Sequence, residues 1–256
     1  MNLLILGGTT EATALARALA GDARFSATLS LAGVTRRPAP QPIPIRVGGF
    51  GGVLGLAHYL QQHRIGALVD ATHPFASQMT ANAITAAQQT GTPLLVVLRP
   101  AWQPTAGDHW TMVASMEAAA ATPGSVPRRV LLTIGRKDLA PFRAAPWHHY
   151  VLRSVDPPPT EALPPHVTVI AARGPFELDD EARLLRDERI DIVVTKNSGG
   201  NATYGKIAAA RKLGLPVILL RRPEAAAVET VATAEEAMTW VEGRGRSANS
   251  PLHEVG

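Results

Sequence analysis

The feature that most constrains this chain is an alternation of short apolar runs with amphipathic stretches, kept up almost from end to end. Runs that read as strands cover residues 2–6, 26–31, 67–70 and 93–98, then 129–134, 149–153, 167–171, 191–195 and 216–221. Helix-like segments lie between them, at 11–20, 53–63, 75–90, 139–144, 176–188, 205–213 and 234–242. Strands this uniformly apolar are buried on both faces, and parallel neighbours need a helical crossover between them. The expectation is an α/β chain with mainly parallel sheets, each covered on both sides.

Two breaks interrupt the rhythm. Residues 36–52 are rich in Pro and Gly and read as a surface connection, while Arg99-Pro100-Ala101-Trp102-Gln103-Pro104 reads as a hinge. With 256 residues, the chain has room for two domains. The expected division is 1–99, then 100–246, then a frayed tail over 247–256. The proline cluster at 156–165 is expected as a loop inside the second unit, and there is no repeat at solenoid spacing.

Composition removes several classes of function. There is no cysteine, so disulfide frameworks, zinc knuckles, iron–sulfur clusters and thiol catalysis are all out, and no metal site is expected. The apolar start Leu3-Leu4-Ile5-Leu6 has no basic flank and runs straight into Gly7-Gly8. It reads as a first strand rather than a signal peptide, and no segment has the roughly 18 apolar residues of a membrane span. A cytoplasmic protein without a membrane partner is expected. The net charge is +4 and arginine far outnumbers lysine. That suits an acidic ligand, although a GC-rich coding sequence explains most of the arginines. The arginines are scattered and not interleaved with aromatics, which argues against nucleic acid. Met, Trp and Phe form no stripe that would set an oligomeric state.

Five motifs sit at the ends of expected strands. In the first, Gly7-Gly8-Thr9-Thr10-Glu11 turns the first strand directly into a helix. Glycines let a phosphate approach the backbone, and the helix start offers free N–H groups. About twenty residues on, an NAD site wants an acid for the ribose 2′-hydroxyl, yet residues 26–37 contain none. Ser30, Gly33, Thr35 and Arg36 stand there instead, which favours a 2′-phosphate and hence NADP. The motif Asp70-Ala71-Thr72-His73-Pro74 places polar groups at the carboxyl end of another strand. Pro74 is expected at the first helical position there, with Thr72 or His73 as the cap.

The second half repeats the arrangement with cations. Thr133-Ile134-Gly135-Arg136-Lys137 and Arg173-Gly174-Pro175-Phe176 both set arginine beside glycine at a strand end, as expected of an anion-recognition surface. Lys196-Asn197-Ser198-Gly199-Gly200 reads as a flexible loop facing a ligand. Gly200 through Lys206 has the spacing of a phosphate loop of nucleotide triphosphatases. Ile207 stands where that loop needs Ser or Thr for magnesium, so this reading is rejected. The remaining histidines read as packing residues, and there is no nucleophile elbow.

Taken in order, these motifs, together with Leu215-Pro216-Val217-Ile218-Leu219-Leu220-Arg221-Arg222-Pro223, resemble the precorrin-6A reductases, NADPH-dependent enzymes of cobalamin biosynthesis. The resemblance implies two Rossmann-like domains, an N-terminal one for NADPH and a C-terminal one for substrate, with a ligand cleft between them. It also implies hydride delivery to the C18=C19 double bond of precorrin-6A, an acidic tetrapyrrole, giving precorrin-6B. On that reading Gly7, Gly8, Thr9, Thr10, Glu11, Ser30, Gly33, Thr35, Arg36, Asp70, Thr72 and His73 serve the coenzyme. Thr133, Gly135, Arg136, Lys137, Arg173, Gly174, Lys196, Asn197, Ser198, Gly199 and Gly200 serve the substrate. His73, Lys196, Tyr204 and a bound water are the candidate proton donors. Two competing readings are an NADP-dependent sugar reductase or epimerase and a non-catalytic NADP sensor. The first wants a lysine four residues after a tyrosine, which Tyr59, Tyr150 and Tyr204 all lack.

Overall fold

A computed structural model of the protein describes residues 1–33 and 39–248. The first unit begins with β1 (Asn2–Leu6), α1 (Thr10–Leu19), β2 (Ser26–Leu31), β3 (Ile45–Val47), α2 (Gly52–Gln62), β4 (Ile65–Asp70), α3 (Ser77–Thr90) and β5 (Leu94–Val97). The second unit holds β6 (His109–Val113), α4 (Met116–Ala121), β7 (Arg129–Thr133), β8 (His149–Ser154), β9 (Val167–Ala171), α5 (Leu178–Asp187), β10 (Ile192–Lys196), α6 (Gly205–Lys212) and β11 (Pro216–Leu220). The chain closes with β12 (Thr230–Val231) and α7 (Ala234–Ala248).

Every strand pairing is parallel, in two sheets of six, as the buried character of the strands requires. The first sheet runs β12-β5-β4-β1-β2-β3 and the second β6-β11-β10-β7-β8-β9. Within β1, Leu3 and Ile5 join the cluster under α1 and α7, while Leu4 and Leu6 join the one under α2 and α3. All four are at most 2% exposed, each burial contributing roughly 1.5–3 kcal/mol. In the second unit Leu131, Val151, Val193 and Leu219 from four strands pack with Leu185, Ile207 and Trp102.

The second unit starts at Pro100, and its expected end at residue 246 needs correction. The second unit ends at Arg222, and the segment from Pro223 returns to the first. There Thr230 and Val231 pair with Val96 and Val97, and α7 buries Ala237 and Val241 on the α1 side. Without this return β5 would be an open edge above an uncovered Leu95 and Val97. α7 also continues to Ala248, past the expected start of the tail; residues 249–256 lie outside the described residues.

Three more corrections are local. The connection at 36–52 contains β3, whose Ser30–Arg46 register partners join it to β2. The segment at 139–144 is a 3-10 helix, with Pro141 in its first turn. α3 starts at Ser77 rather than Pro74, because Ala76 N–H donates to His73 O in a preceding turn. Among the described residues, no helix is long and apolar enough to cross a membrane.

Candidate functional site

In an open parallel sheet, ligands bind beyond the carboxyl ends of the strands where the strand order reverses. In the first unit that point lies between β1 and β4, the two strands from which the chain winds outward in opposite directions. Gly7 and Gly8 leave β1 there. A Cβ on Gly7 would stand 2.5 Å from Leu29 Cδ1 and 3.3 Å from Ala12 Cβ, so glycine allows α1 to close on the sheet. Gly8 adopts φ +119°, a left-handed conformation that favours glycine. The hydroxyl of Thr9 caps α1 by accepting from Ala12 N–H at 3.2 Å, and it donates to Ala71 O at 2.7 Å. Thr9 therefore ties the β1 turn to the β4 turn.

Asp70, 1% exposed, plays the same part from the other side. It accepts from Thr72 N–H (3.0 Å), Thr72 Oγ1 (2.7 Å) and Thr80 Oγ1 (2.6 Å). Its carboxylate is committed to shaping the turn. His73 Nδ1 accepts from Phe75 N–H at 3.3 Å, which leaves the proton of the neutral ring on Nε2. Glu11, in the first turn of α1, pairs with Arg99 at 2.6 Å. Burial alone would raise its pKa, but a backbone hydrogen bond and the Arg99 charge outweigh that and hold it below the usual range. Thr10 is exposed at the helix start.

At the β2 exit, Ser30 is buried and accepts from Arg46 Nη1 at 3.2 Å. Gly33 has φ +74°, and a Cβ there would sit 3.4 Å from Val47. No acid occupies residues 26–33. Thr35 and Arg36, the other residues expected at this exit, lie outside the described residues. A glycine turn into a helix at the switch point is an arrangement that can take the pyrophosphate of a dinucleotide.

The switch point of the second sheet lies between β7 and β10. Thr133 ends β7 and donates to Val194 O at 3.3 Å. Gly135 N–H bonds Asp138 Oδ2 at 3.2 Å, and the same oxygen pairs with Lys196 Nζ at 2.7 Å. Asp138, which sequence reasoning missed, thus links the two strand exits and partly neutralises Lys196. Arg136 and Lys137 are exposed and make no ion pair among the described residues. Beside them is a cavity of about 540 Å³, lined by Met116, Glu117, Lys137, Asp138, Ala140 and Pro141.

Arg173 and Gly174 follow β9, two strands from this point, and are exposed. The Phe176 ring just beyond them stacks 3.8 Å from Arg153 Cζ, and Arg153 forms a buried ion pair with Glu181. This pair was not expected; an arginine in a strand and a glutamate in a helix carry no local sign that they will meet.

The Asn197–Gly200 stretch is not the flexible loop that its composition suggests. Asn197 Oδ1 accepts from Trp102 N–H at 2.8 Å, and its Nδ2 donates to Trp102 O at 3.1 Å. Trp102 Nε1 donates to Gly200 O at 2.8 Å. Arg222 donates to Asn197 O at 2.7 Å and to Ser198 O at 2.8 Å. Gly199 has φ +65°, and a Cβ there would collide with Pro100 O and the Arg222 guanidinium. The segments entering and leaving the second unit hold the loop fast.

Tyr204 opens α6, but its hydroxyl accepts from Arg211 Nη2 at 2.5 Å, and Arg211 grips Asp108. Arg211 is in the last turn of α6 and Asp108 just precedes β6, at the amino edge of the sheet. The phenol therefore points away from the carboxyl edge where ligands bind.

The family model for precorrin-6x reductase CbiJ/CobK matches residues 2–242. A precorrin-6A reductase from Sinorhizobium sp is 52% identical over 239 residues, 93% of this chain and 92% of the relative. One from Rhodobacter capsulatus is 49% identical over 243 residues, covering 95% and 96%. A solved structure of CobK precorrin-6A reductase superposes with a TM-score of 0.91 at 49% identity, covering 96% of this chain and 97% of that one. A relative named cobalt-precorrin-6A reductase, from Priestia megaterium, is 28% identical over 258 residues, covering 96% and 100%. With matching sequence and fold, the chain belongs to the precorrin-6A reductase family, the oxidoreductases of cobalamin biosynthesis.

Proposed function

We propose that this member of the family takes its hydride from NADPH held at the β1–β4 crevice and binds the carboxylates of precorrin-6A at the β7–β10 crevice. The reaction is that of the family, reduction of the C18=C19 double bond to give precorrin-6B. When bound, the nicotinamide supplies the hydride, so the chain needs no nucleophile of its own. What remains for the protein is binding, orientation and one proton.

One observation carries this reading: each sheet has a switch point, and the sequence motifs converge on both with different chemistry. The first crevice offers glycines, the start of α1 and the hydroxyl of Ser30, which suit a pyrophosphate and a 2′-phosphate. The second offers Arg136 and Lys137 without internal acids, and Lys196 already oriented by Asp138. Acetate and propionate groups match those cations, each well-placed charged hydrogen bond contributing roughly 1.5–3 kcal/mol. Arg173 and Ser198 complete the substrate side, with Asn197 shaping the loop through Trp102, and Arg36 is assigned with Ser30 to the coenzyme side. With Tyr204 turned away, His73 and Lys196 remain as the side chains able to supply the proton. Greater identity to the relatives named for precorrin-6A than to one named for its cobalt form favours the metal-free substrate.

The test is to mix the protein with NADPH and purified precorrin-6A and follow loss of the reduced-nicotinamide absorbance. Stoichiometric oxidation with formation of a dihydro product supports the reading. Coenzyme that binds but is not oxidised would overturn it in favour of a sensor.

A further inference from the structure

Six arginines of the described residues are buried or half-buried. Four meet a carboxylate: Arg99 with Glu11, Arg129 with Glu188, Arg153 with Glu181 and Arg211 with Asp108. The other two, Arg46 and Arg222, are held by backbone carbonyls, and those of Arg222 belong to the Asn197–Gly200 loop and Pro100. Arg46 is the one at the coenzyme crevice. Its charge is left unneutralised by any acid among the described residues.

We infer that Arg46 is a specificity-determining residue for the coenzyme, a preformed receptor for the 2′-phosphate of its adenosine half; this rests on the reading of the first unit as the NADPH site. Its Nη1 donates to Ser30 Oγ at 3.2 Å and to Gly48 O at 2.5 Å, and its Nη2 to Gly49 O at 2.7 Å. A guanidinium carries five N–H groups, so Nε–H and one Nη2–H are left without an acceptor among the described residues. The Nε/Nη2 edge is the one by which Arg211 takes both oxygens of Asp108, at 2.9 and 3.0 Å. A phosphate monoester presents the same paired oxygens.

Position agrees with chemistry. Leu6 at the end of β1 is in register with Ser30, and Ser30 with Arg46, so the guanidinium lies on the strand just beyond the one that reads the ribose in dinucleotide folds. The side chain is also fixed in advance. Its Cζ lies 3.8 Å from the Phe50 ring centroid and 5.4 Å from that of Tyr59, so little rotamer freedom remains to be lost on binding.

A latch for the Gly48–Gly49 turn would make the same internal bonds, so the test separates the two roles. Adenosine 2′,5′-bisphosphate and adenosine 5′-monophosphate are titrated calorimetrically into the wild type, Arg46→Ala and Arg46→Lys, with thermal melting as the check on folding. KM is also measured for NADPH and NADH. Arg46→Ala should weaken the bisphosphate about tenfold or more while changing the monophosphate less than about twofold, with KM following the same split. Arg46→Lys, which keeps charge but loses the fork, should fall between. Equal weakening of both nucleotides, or wild-type discrimination in both variants, overturns the role of Arg46 and leaves the NADPH reading standing. A wild type that does not discriminate between them overturns both.

Discussion

The two units share a plan of six parallel strands around one switch point, yet the acids at their switch points are held differently. At the first crevice the buried acid, Asp70, is satisfied by two threonine hydroxyls and a backbone amide, with no cation among the described residues. In the second unit, acids are matched with cations: Asp138 with Lys196 at the crevice, and Glu181 with Arg153 beneath the Arg173 loop. Under the proposed function, a crevice shaped by hydroxyls and glycines leaves the helix start and Arg46 to meet a phosphate. One lined with lysine and arginine needs internal acids to hold some cations in place while others stay available.

The largest test of this contrast compares ion pairs. Glu181→Ala leaves Arg153 charged and buried, and should cost about 3–5 kcal/mol in urea denaturation. Glu11→Ala removes the partner of Arg99 in the more exposed pair of the first unit, and should cost only about 1 kcal/mol. Similar losses from both would break the distinction. A smaller effect concerns acid. His148 is fully buried, and burial holds its pKa below the ordinary histidine value; burial would raise that of Asp108, but Arg211 and the Thr105 amide outweigh it and lower it. For both groups the unfolded chain binds the proton more readily, so stability is present above the unfolded pKa and is lost as pH falls. His148 contributes its part below about pH 6.5, and Asp108 below about pH 4. Replacing His148 with Phe should flatten the first part of the denaturation midpoint against pH; an unchanged profile would remove His148 as the cause. The smallest effect is expected for Tyr204→Phe, with about 1 kcal/mol of stability lost and turnover within about threefold of wild type. A collapse of turnover at full substrate saturation would restore Tyr204 as a proton donor.

Legibility in the sequence follows how local each signal is. The strands β1, β7 and β11 appear within a residue of their expected bounds, because burial on both faces writes a continuous apolar run. β3 and β12, of three and two residues, are too short to show a pattern, and β6 at a sheet edge reads His109-Trp110-Thr111-Met112-Val113, too polar to stand out. The site residues divide the same way. Gly7, Gly8, Asp70 and Lys196 announce themselves by lying at strand ends. Arg46, Asp138, Glu181 and Arg222 do not, since each acts on a residue brought near only by strand pairing or helix packing.

The sequence by itself therefore determined the parallel α/β class and the placing of its glycine and polar motifs at strand ends. Both depend on periodicity and on residue types a few positions apart. Only the tertiary structure decided that the chain returns after Arg222 to complete the first sheet, that the Asn197–Gly200 loop is held rigid, and which cations already have partners. Those outcomes rest on contacts between residues far apart in the chain. No local pattern encodes them, because a carboxylate is the same residue whether it meets an arginine 28 positions away or none at all.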